Sequence, residues 1–348
     1  MLYKNTMIET LAFGEPPELM SSSKLEEILS PLYSRLKLPE GRLEMMSGIK
    51  ERRLWPKGFK PSDAAIAAGK KAFEMTKVPR EEIGCLIMCS VCRDFLEPAT
   101  ATVIHHELGL RKDSLVFDIS NACLGVLTGI LLLADMIELG RIRAGMLVAG
   151  ENCRQLLEST ISRLNTDLSL KRADVKKHFS SLTIGSGSLA AIISSAEISP
   201  DSHALIGSSS LAFTKHNDLC RGGADAGMLD GSEIFMNTDS ETLMIKGVDA
   251  AAENWEKFKK ELSWNNNTPD LVCTHQVGSA HRKLLFDRLG IDIKKDFPTL
   301  ESFGNMGSVS CPGTLAIAAE SGAVKKGDNV AMLGIGSGIN CTMLGVKW

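Results

Sequence analysis

Three residues have the types and settings that acyl-transfer chemistry requires. Cys123 stands in DISNACLGVLTGILLLADMI, where an extended run ending at Ser120 gives way to an apolar helix beginning near the cysteine. A thiol at a helix N-terminus faces unpaired backbone N–H groups and the positive end of the helix dipole, which predicts a pKa below the usual value of roughly 8.5. The same N–H groups can cradle an oxyanion. His275 ends the apolar strand DLVCTHQV, and α/β sheets build their sites just beyond the carboxyl ends of strands. Asn305 lies in ESFGNMGSVSCPGT, where Gly304, Gly307 and Ser308 allow a tight turn that brings the amide close to a ligand. Each has a plainer reading on its own: a core hydrophobe, a satisfied polar histidine, a turn asparagine. Together they supply a nucleophile, a proton shuttle and a hydrogen-bond donor, the set that thioester chemistry uses.

Other residues extend or limit this reading. The order Cys, His, Asn is also that of papain-like cysteine hydrolases, but those place the cysteine near the mature N-terminus in a C-G-S-C-W setting. Here about a hundred residues of α/β pattern precede it. NVAMLGIGSGINCTM reads as a buried strand opening into Gly336, Ser337 and Gly338, whose N–H groups could also donate to an oxyanion; it lacks the phosphate-loop patterns. Glu97, in SVCRDFLEPAT, is expected in a loop before a new helix, as a solvated charge or a functional carboxylate. Cys85, Cys89 and Cys92 have the spacing of an iron–sulfur motif, but CLIMCSV reads as a buried strand. Residues four apart there are separated by about 13 Å, so core packing is expected and no metal. Cys341 falls in the last strand pattern and is expected to pack. The Met and Leu residues at 127–136 and 228–246 suit a core and an acyl-chain lining equally.

The elements carrying these residues repeat. GRIRAGMLVAGEN from Gly140 and GAVKKGDNVAMLGIG from Gly322 each read helix end, glycine turn, buried strand. VPREEIGCLIMCSV from Val78 and NNTPDLVCTHQV from Asn266 each run from a polar lead into a short apolar strand. The offset that superposes Gly140 on Gly322 sets Cys123 opposite Asn305, each just before a small-residue helix. Two copies of one α/β unit are expected, residues 1–195 carrying the nucleophile and 196–348 carrying the histidine and asparagine, packed as a layered α/β/α/β/α body. The charged segment from Leu156 to Ser180 reads as an insertion.

Composition excludes several classes. With 44% hydrophobic and 23% charged residues the chain can bury a large core. Lys plus Arg numbers 39 against 42 for Asp plus Glu, so a net charge of −3 gives no general reason to bind nucleic acid or an anionic membrane. The longest uncharged stretch, Ile119 to Ala134, is shorter than the roughly 20 apolar residues of a membrane span, so a buried helix is expected. The N-terminus shows no secretory pattern. Nine scattered cysteines do not read as a disulfide framework, and a cytoplasmic protein is expected.

The segments GIKERRLW, PSDAAIAAGKKAF, FDISNACLGVLTG, THQVGSAH, FGNMGSVSCPGTLA and LGIGSGINCTM, in this order, make the chain resemble the thiolase superfamily, specifically its ketoacyl-ACP synthase III-like enzymes. Through SVCRDFLEPATA, NACLGVLTG, LCRG from Leu219 and KKGDNVAMLGIGSGINCTM it most resembles the long-chain olefin biosynthesis condensing enzymes, which join two fatty acyl-CoA molecules head to head. The resemblance implies a duplicated thiolase fold and a homodimer. It implies Cys123 as acylated nucleophile, His275 and Asn305 completing the triad, and the backbone N–H groups of Ser337 and Cys123 as oxyanion hole. Glu97 would be a base reaching into the partner subunit's site. No cofactor is implied, only CoA or phosphopantetheine thioesters, with acyl carrier protein an alternative carrier. A malonyl-using synthase needs no such base, because loss of carbon dioxide generates its carbanion; joining two plain acyl thioesters does need one. A carboxylate in a partly desolvated tunnel, its pKa raised, suits that task. Decarboxylative synthesis from acyl-CoA and malonyl-ACP is the alternative activity.

Overall fold

Strands that read as unbroken apolar runs need a packed layer on each face. The computed structural model, which describes residues 1–222 and 236–348, supplies three helical layers for them. The principal strands are β1 (Thr6–Gly14), β2 (Ile83–Met88), β3 (Leu115–Asp118), β4 (Ala144–Glu151), β5 (Gly187–Ser195), β6 (His203–Ala212), β7 (Leu271–Thr274), β8 (Asn329–Gly336) and β9 (Asn340–Lys347). They pair in the order β7-β8-β9-β6-β1-β5-β4-β2-β3. β1 meets β6 only through Met7↔Ala204 and Ile8↔His203, whereas its register with β5 runs from Thr6↔Ser195 to Gly14↔Ser188. The strands therefore behave as two sheets joined at one end.

Side chains alternate between the two faces of each strand. In β4, Leu147 and Ala149 enter a central core with Leu127 and Ile130 of α3 (Gly125–Glu138) and Leu315 of α6 (Ser310–Glu320). Met146 and Val148 face the other way, toward α1 (Pro61–Met75) and α2 (Thr100–Glu107). In β8, Val330 and Met332 join the central core, while Ala331 and Leu333 face α4 (Ser240–Leu262) and α5 (Ser279–Leu289). This is the five-layer α/β/α/β/α thiolase body, with α3 and α6 sandwiched between the sheets. The repeated segments occupy matching places: β2 runs parallel to β4, and β7 parallel to β8.

Helices within residues 22–47 and 154–178 form a separate cap through Leu25, Leu32, Leu157 and Leu164, so the charged insertion has an apolar underside. Leu127, Leu131 and Leu133 of α3 are core, whereas Met228 and Leu229 lie outside the described residues. Cys85, Cys89 and Cys341 are fully buried among apolar side chains. Among the described residues no helix is long and apolar enough to cross a membrane.

Phe258 of α4 is fully buried, packed between Trp255 and Trp264 with ring centroids 5.5 Å from each. Phe258→Ala is expected to lower unfolding free energy by about 3–5 kcal/mol, measured as a reduced urea midpoint with an unchanged slope; a loss under 1 kcal/mol would mean that the outer layer can collapse into the space.

Candidate active site

Parallel α/β units present functional residues beyond the carboxyl ends of their strands, and both halves obey this. The Glu97 loop follows β2, Cys123 follows β3, Glu151 ends β4, His275 follows β7 and Ser337 follows β8. After β3 the chain makes a single 3-10 turn over Ala122–Leu124 before α3 begins at Gly125, so Cys123 stands in this turn and not in the α-helix itself. Ala122 has φ +46°, a left-handed conformation that costs a non-glycine residue roughly 1–2 kcal/mol and marks a turn held by its surroundings. Asn121 supplies part of that hold. Its side chain donates to Thr128 Oγ1 at 2.9 Å and accepts from Asn340 Nδ2 at 3.1 Å. Two close approaches complete it: a Cβ on Gly125 would lie 2.2 Å from the Cys89 carbonyl oxygen, and one on Gly336 would lie 2.9 Å from Leu124 Cγ and 3.7 Å from the Cys123 amide nitrogen. Glycine at 336 thus lets the end of β8, and with it the Ser337 turn, lie against the Cys123 backbone.

His275 continues the β7–β8 pairing, its N–H donating to Leu333 O at 3.0 Å. The next residue, Gln276, accepts from the amides of Thr299 and Leu300 at 2.9 and 2.7 Å and donates to Phe297 O, fixing the turn that leads toward Asn305. Asn305 is tied by its own backbone, N–H to Thr183 O at 3.0 Å and carbonyl to Gly185 N–H at 2.8 Å. Its Oδ1 accepts from Gly307 N–H, which leaves the amide nitrogen as the outward donor. The turn after Asn305 packs on the Cys123 turn, with Ser308 Cβ 3.6 Å from where a Gly125 side chain would begin. The structure therefore gathers the Cys123, Asn305 and Ser337 segments, and His275 joins them through β8. Glu97 is not gathered. It lies exposed on the loop between β2 and α2, beside exposed Val91, Phe95 and Leu96, so its own subunit does not supply the desolvation expected of a base.

Electrostatics correct one expectation. The Cys123 thiol is pushed up to about 12, not down: burial is the larger cause, the charge of Glu151 the next, and the helix-start amide of Cys123 itself only partly opposes them. One turn of dipole does not outweigh desolvation. His275 is 4% exposed, and burial, with His281 beside it, drives its imidazole down to about 3. Its Nδ1 has no hydrogen-bond partner among the described residues. The resting pair is thus a neutral thiol and a neutral imidazole, suited to moving one proton when an acyl carbonyl takes up charge. Glu151, Asn121 and Gln276 were not singled out from the sequence. Glu151 had a usable signal, a charge closing the apolar strand AGMLVAGE.

A duplicated five-layer body with a half-buried cysteine in the turn that precedes its central helix defines a thiolase-fold acyltransferase. Residues 260–348 match the family described as 3-oxoacyl-acyl-carrier-protein (ACP) synthase III C terminal. Over the full length of both chains the protein is 42% identical to the acyl-CoA:acyl-CoA alkyltransferase of Shewanella oneidensis and 35% identical to that of Xanthomonas campestris. It superposes with a TM-score of 0.93, at 34% identity and covering 100% of both chains, on a crystal structure of a Xanthomonas campestris OleA variant with bound lauric acid and lauroyl-CoA. The chain belongs to the acyl-CoA:acyl-CoA alkyltransferase family of synthase III-like enzymes.

Two outcomes follow from these electrostatics. Alkylation of Cys123 by iodoacetamide is expected to accelerate about tenfold per pH unit from pH 7 to 10; levelling off near pH 7.5 would reveal a resting thiolate. Burial also lowers His281 to about 4. Unfolded histidines titrate near 6.5, so below that pH the unfolded chain gains protons that folded His275 and His281 refuse. Stability is complete above about pH 6.5 and is lost as pH falls toward 4. Thermal midpoints should fall across this window, and less steeply in His281→Gln; parallel curves for variant and wild type would refute the assignment.

Proposed function

We propose that this enzyme condenses two fatty acyl-CoA molecules head to head, without decarboxylation, as a homodimer in the cytoplasm. Cys123 attacks the first acyl-CoA, His275 takes the thiol proton and returns it to the departing CoA sulfur, and an acyl-cysteine thioester remains. The amides of Cys123 and Ser337 hold the oxyanion. Asn305 and neutral His275 donate to the carbonyl of the second acyl-CoA, stabilising its enolate. Glu97 of the partner subunit removes the α-proton, the carbanion attacks the Cys123 thioester and breaks its carbon–sulfur bond, and the abstracted proton passes from the partner's Glu97 to the expelled Cys123 thiolate, restoring the thiol. A β-ketoacyl-CoA leaves. Hydrolysis of that thioester gives a β-keto acid and CoA. Side chains carry every proton transfer, so the chemistry calls for no metal or prosthetic group.

The observation that carries this reading is the Glu97 loop. Its carboxylate and three apolar side chains are exposed where the chain leaves the carboxyl end of β2, which pairs with the edge strand β3. An open strand edge next to an exposed apolar loop fits a second copy of the chain, in which Glu97 would gain the apolar surroundings that a carboxylate base requires. The names of the relatives, acyl-CoA:acyl-CoA alkyltransferases, and the lauroyl-CoA held by OleA support acyl-CoA as both substrates. All nine cysteines are free, which suits a reducing compartment.

Purified enzyme given fatty acyl-CoAs, with and without malonyl-ACP, should form β-keto acid or its decarboxylated ketone without malonyl-ACP, seen by mass spectrometry; Cys123→Ser should form none. Glu97→Ala should keep the acyl mass increase on Cys123 while condensation falls about 100-fold or more. Product that appears only with malonyl-ACP would instead establish decarboxylative synthase III activity.

A further inference from the structure

Glu151 takes no part in the reaction as described, yet the site is strung on it. Its side chain ends β4 at 4% residue exposure. The carboxylate accepts from the amides of Val91 at 2.9 Å and Cys92 at 3.3 Å, both at the root of the Glu97 loop. On the other side it accepts from the Ser308 amide at 3.2 Å and from the Ser308 hydroxyl, in the turn that follows Asn305. Gly307, at φ +59°, leaves room for this approach, since a Cβ there would lie 3.1 Å from Glu151 Cδ. Among the described residues these hydrogen-bond partners are three amides and one hydroxyl, with no cation among them. A carboxylate buried without a counter-ion is an expensive way to join two loops, and an amide or a hydroxyl would be the cheaper fastener.

We propose that Glu151 is a positioning residue for the condensation step, clamping the root of the Glu97 loop to the turn that carries Asn305. The proposal rests on the head-to-head reading. Each site needs an Asn305 that holds the second acyl thioester and a Glu97, lent by the other subunit, that withdraws its α-proton. The clamp in one subunit therefore steadies its own Asn305 and the base it lends to its partner, and small displacements of either group are costly to rate. A decarboxylating enzyme would need only the Asn305 side of the clamp. The negative charge has a second effect that supports the choice of glutamate: its repulsion helps to keep the Cys123 thiol protonated.

Three readouts on Glu151→Gln and Ser308→Ala test this: acyl loading of Cys123 by intact-protein mass spectrometry, condensation kinetics, and the pH profile of iodoacetamide alkylation. In Glu151→Gln, loading should persist, condensation kcat should fall at least tenfold with little change in KM, and alkylation at pH 8 should speed up about tenfold. Ser308→Ala removes one clamp contact and keeps the charge, so condensation should fall while the alkylation profile stays. Condensation at the wild-type rate in Glu151→Gln, or alkylation profiles that move alike in both variants, would overturn the proposal. Should Glu151→Gln fail to fold, Ser308→Ala decides: selective loss of condensation supports the clamp, and full condensation refutes it. If wild-type enzyme forms no β-keto product from acyl-CoA alone, the head-to-head reading fails by itself. The alkylation profile still tests the charge, and an unmoved profile in Glu151→Gln then refutes its role at Cys123.

Discussion

The close packing of the Cys123 turn between the ends of the two sheets is the contact on which the site depends. β2 approaches it through the Cys89 carbonyl at Gly125, and β8 approaches through Gly336 at Leu124. A methyl group at either glycine would open the joint at the point where the Cys123, Ser337 and Asn305 turns converge. The left-handed Ala122 is tolerable because Asn121 is held on both sides, by Thr128 of the following helix and by Asn340 of β9, a strand from the other half of the chain. Local strain is thus offset by contacts between the halves, which couples the geometry of the nucleophile to the integrity of the whole body.

Burial sets the chemical character of that site. A desolvated thiol beside a carboxylate and a desolvated imidazole both resist ionisation, so the resting enzyme carries no ion pair between them. In such a desolvated setting preorganised amides stabilise a developing oxyanion most strongly, because little water competes for them. This arrangement also protects the thiol from indiscriminate reaction in the absence of acyl-CoA, since the thiolate is the reactive form.

The two halves are alike in scaffold and unlike in use. Each places a central helix behind a functional turn, Cys123 before α3 and Asn305 before α6, and each builds its parallel strand pair from the repeated segments. Divergence lies at the edges. The N-terminal half ends in the open strand β3 and the exposed Glu97 loop, and the C-terminal half carries the buried His275. Asp118, closing β3, caps α2 through the amides of Thr100 and Ala101 at 2.8 and 2.9 Å, so the loop is anchored at its far end while its tip stays outside.

Much of this was legible along the chain. Unbroken apolar strands, the recurrence of glycine-bounded segments and the alignment of Cys123 with Asn305 follow from local periodicity, because a buried strand or helix imprints its burial on consecutive residues. The positions of Cys123, His275, Ser337 and Glu97 beyond strand ends were readable for the same reason. The state of the thiol was not: the helix start predicted a lowered pKa, and burial together with Glu151, 28 positions away, reversed it. Glu151, Asn121 and Gln276 gained their roles from partners far off in sequence, such as Ser308, Asn340 and Thr299. Periodicity records which face of an element meets the core. Desolvation and Coulomb interaction depend on distances between elements, and those exist only once the sheets have closed around the central helices.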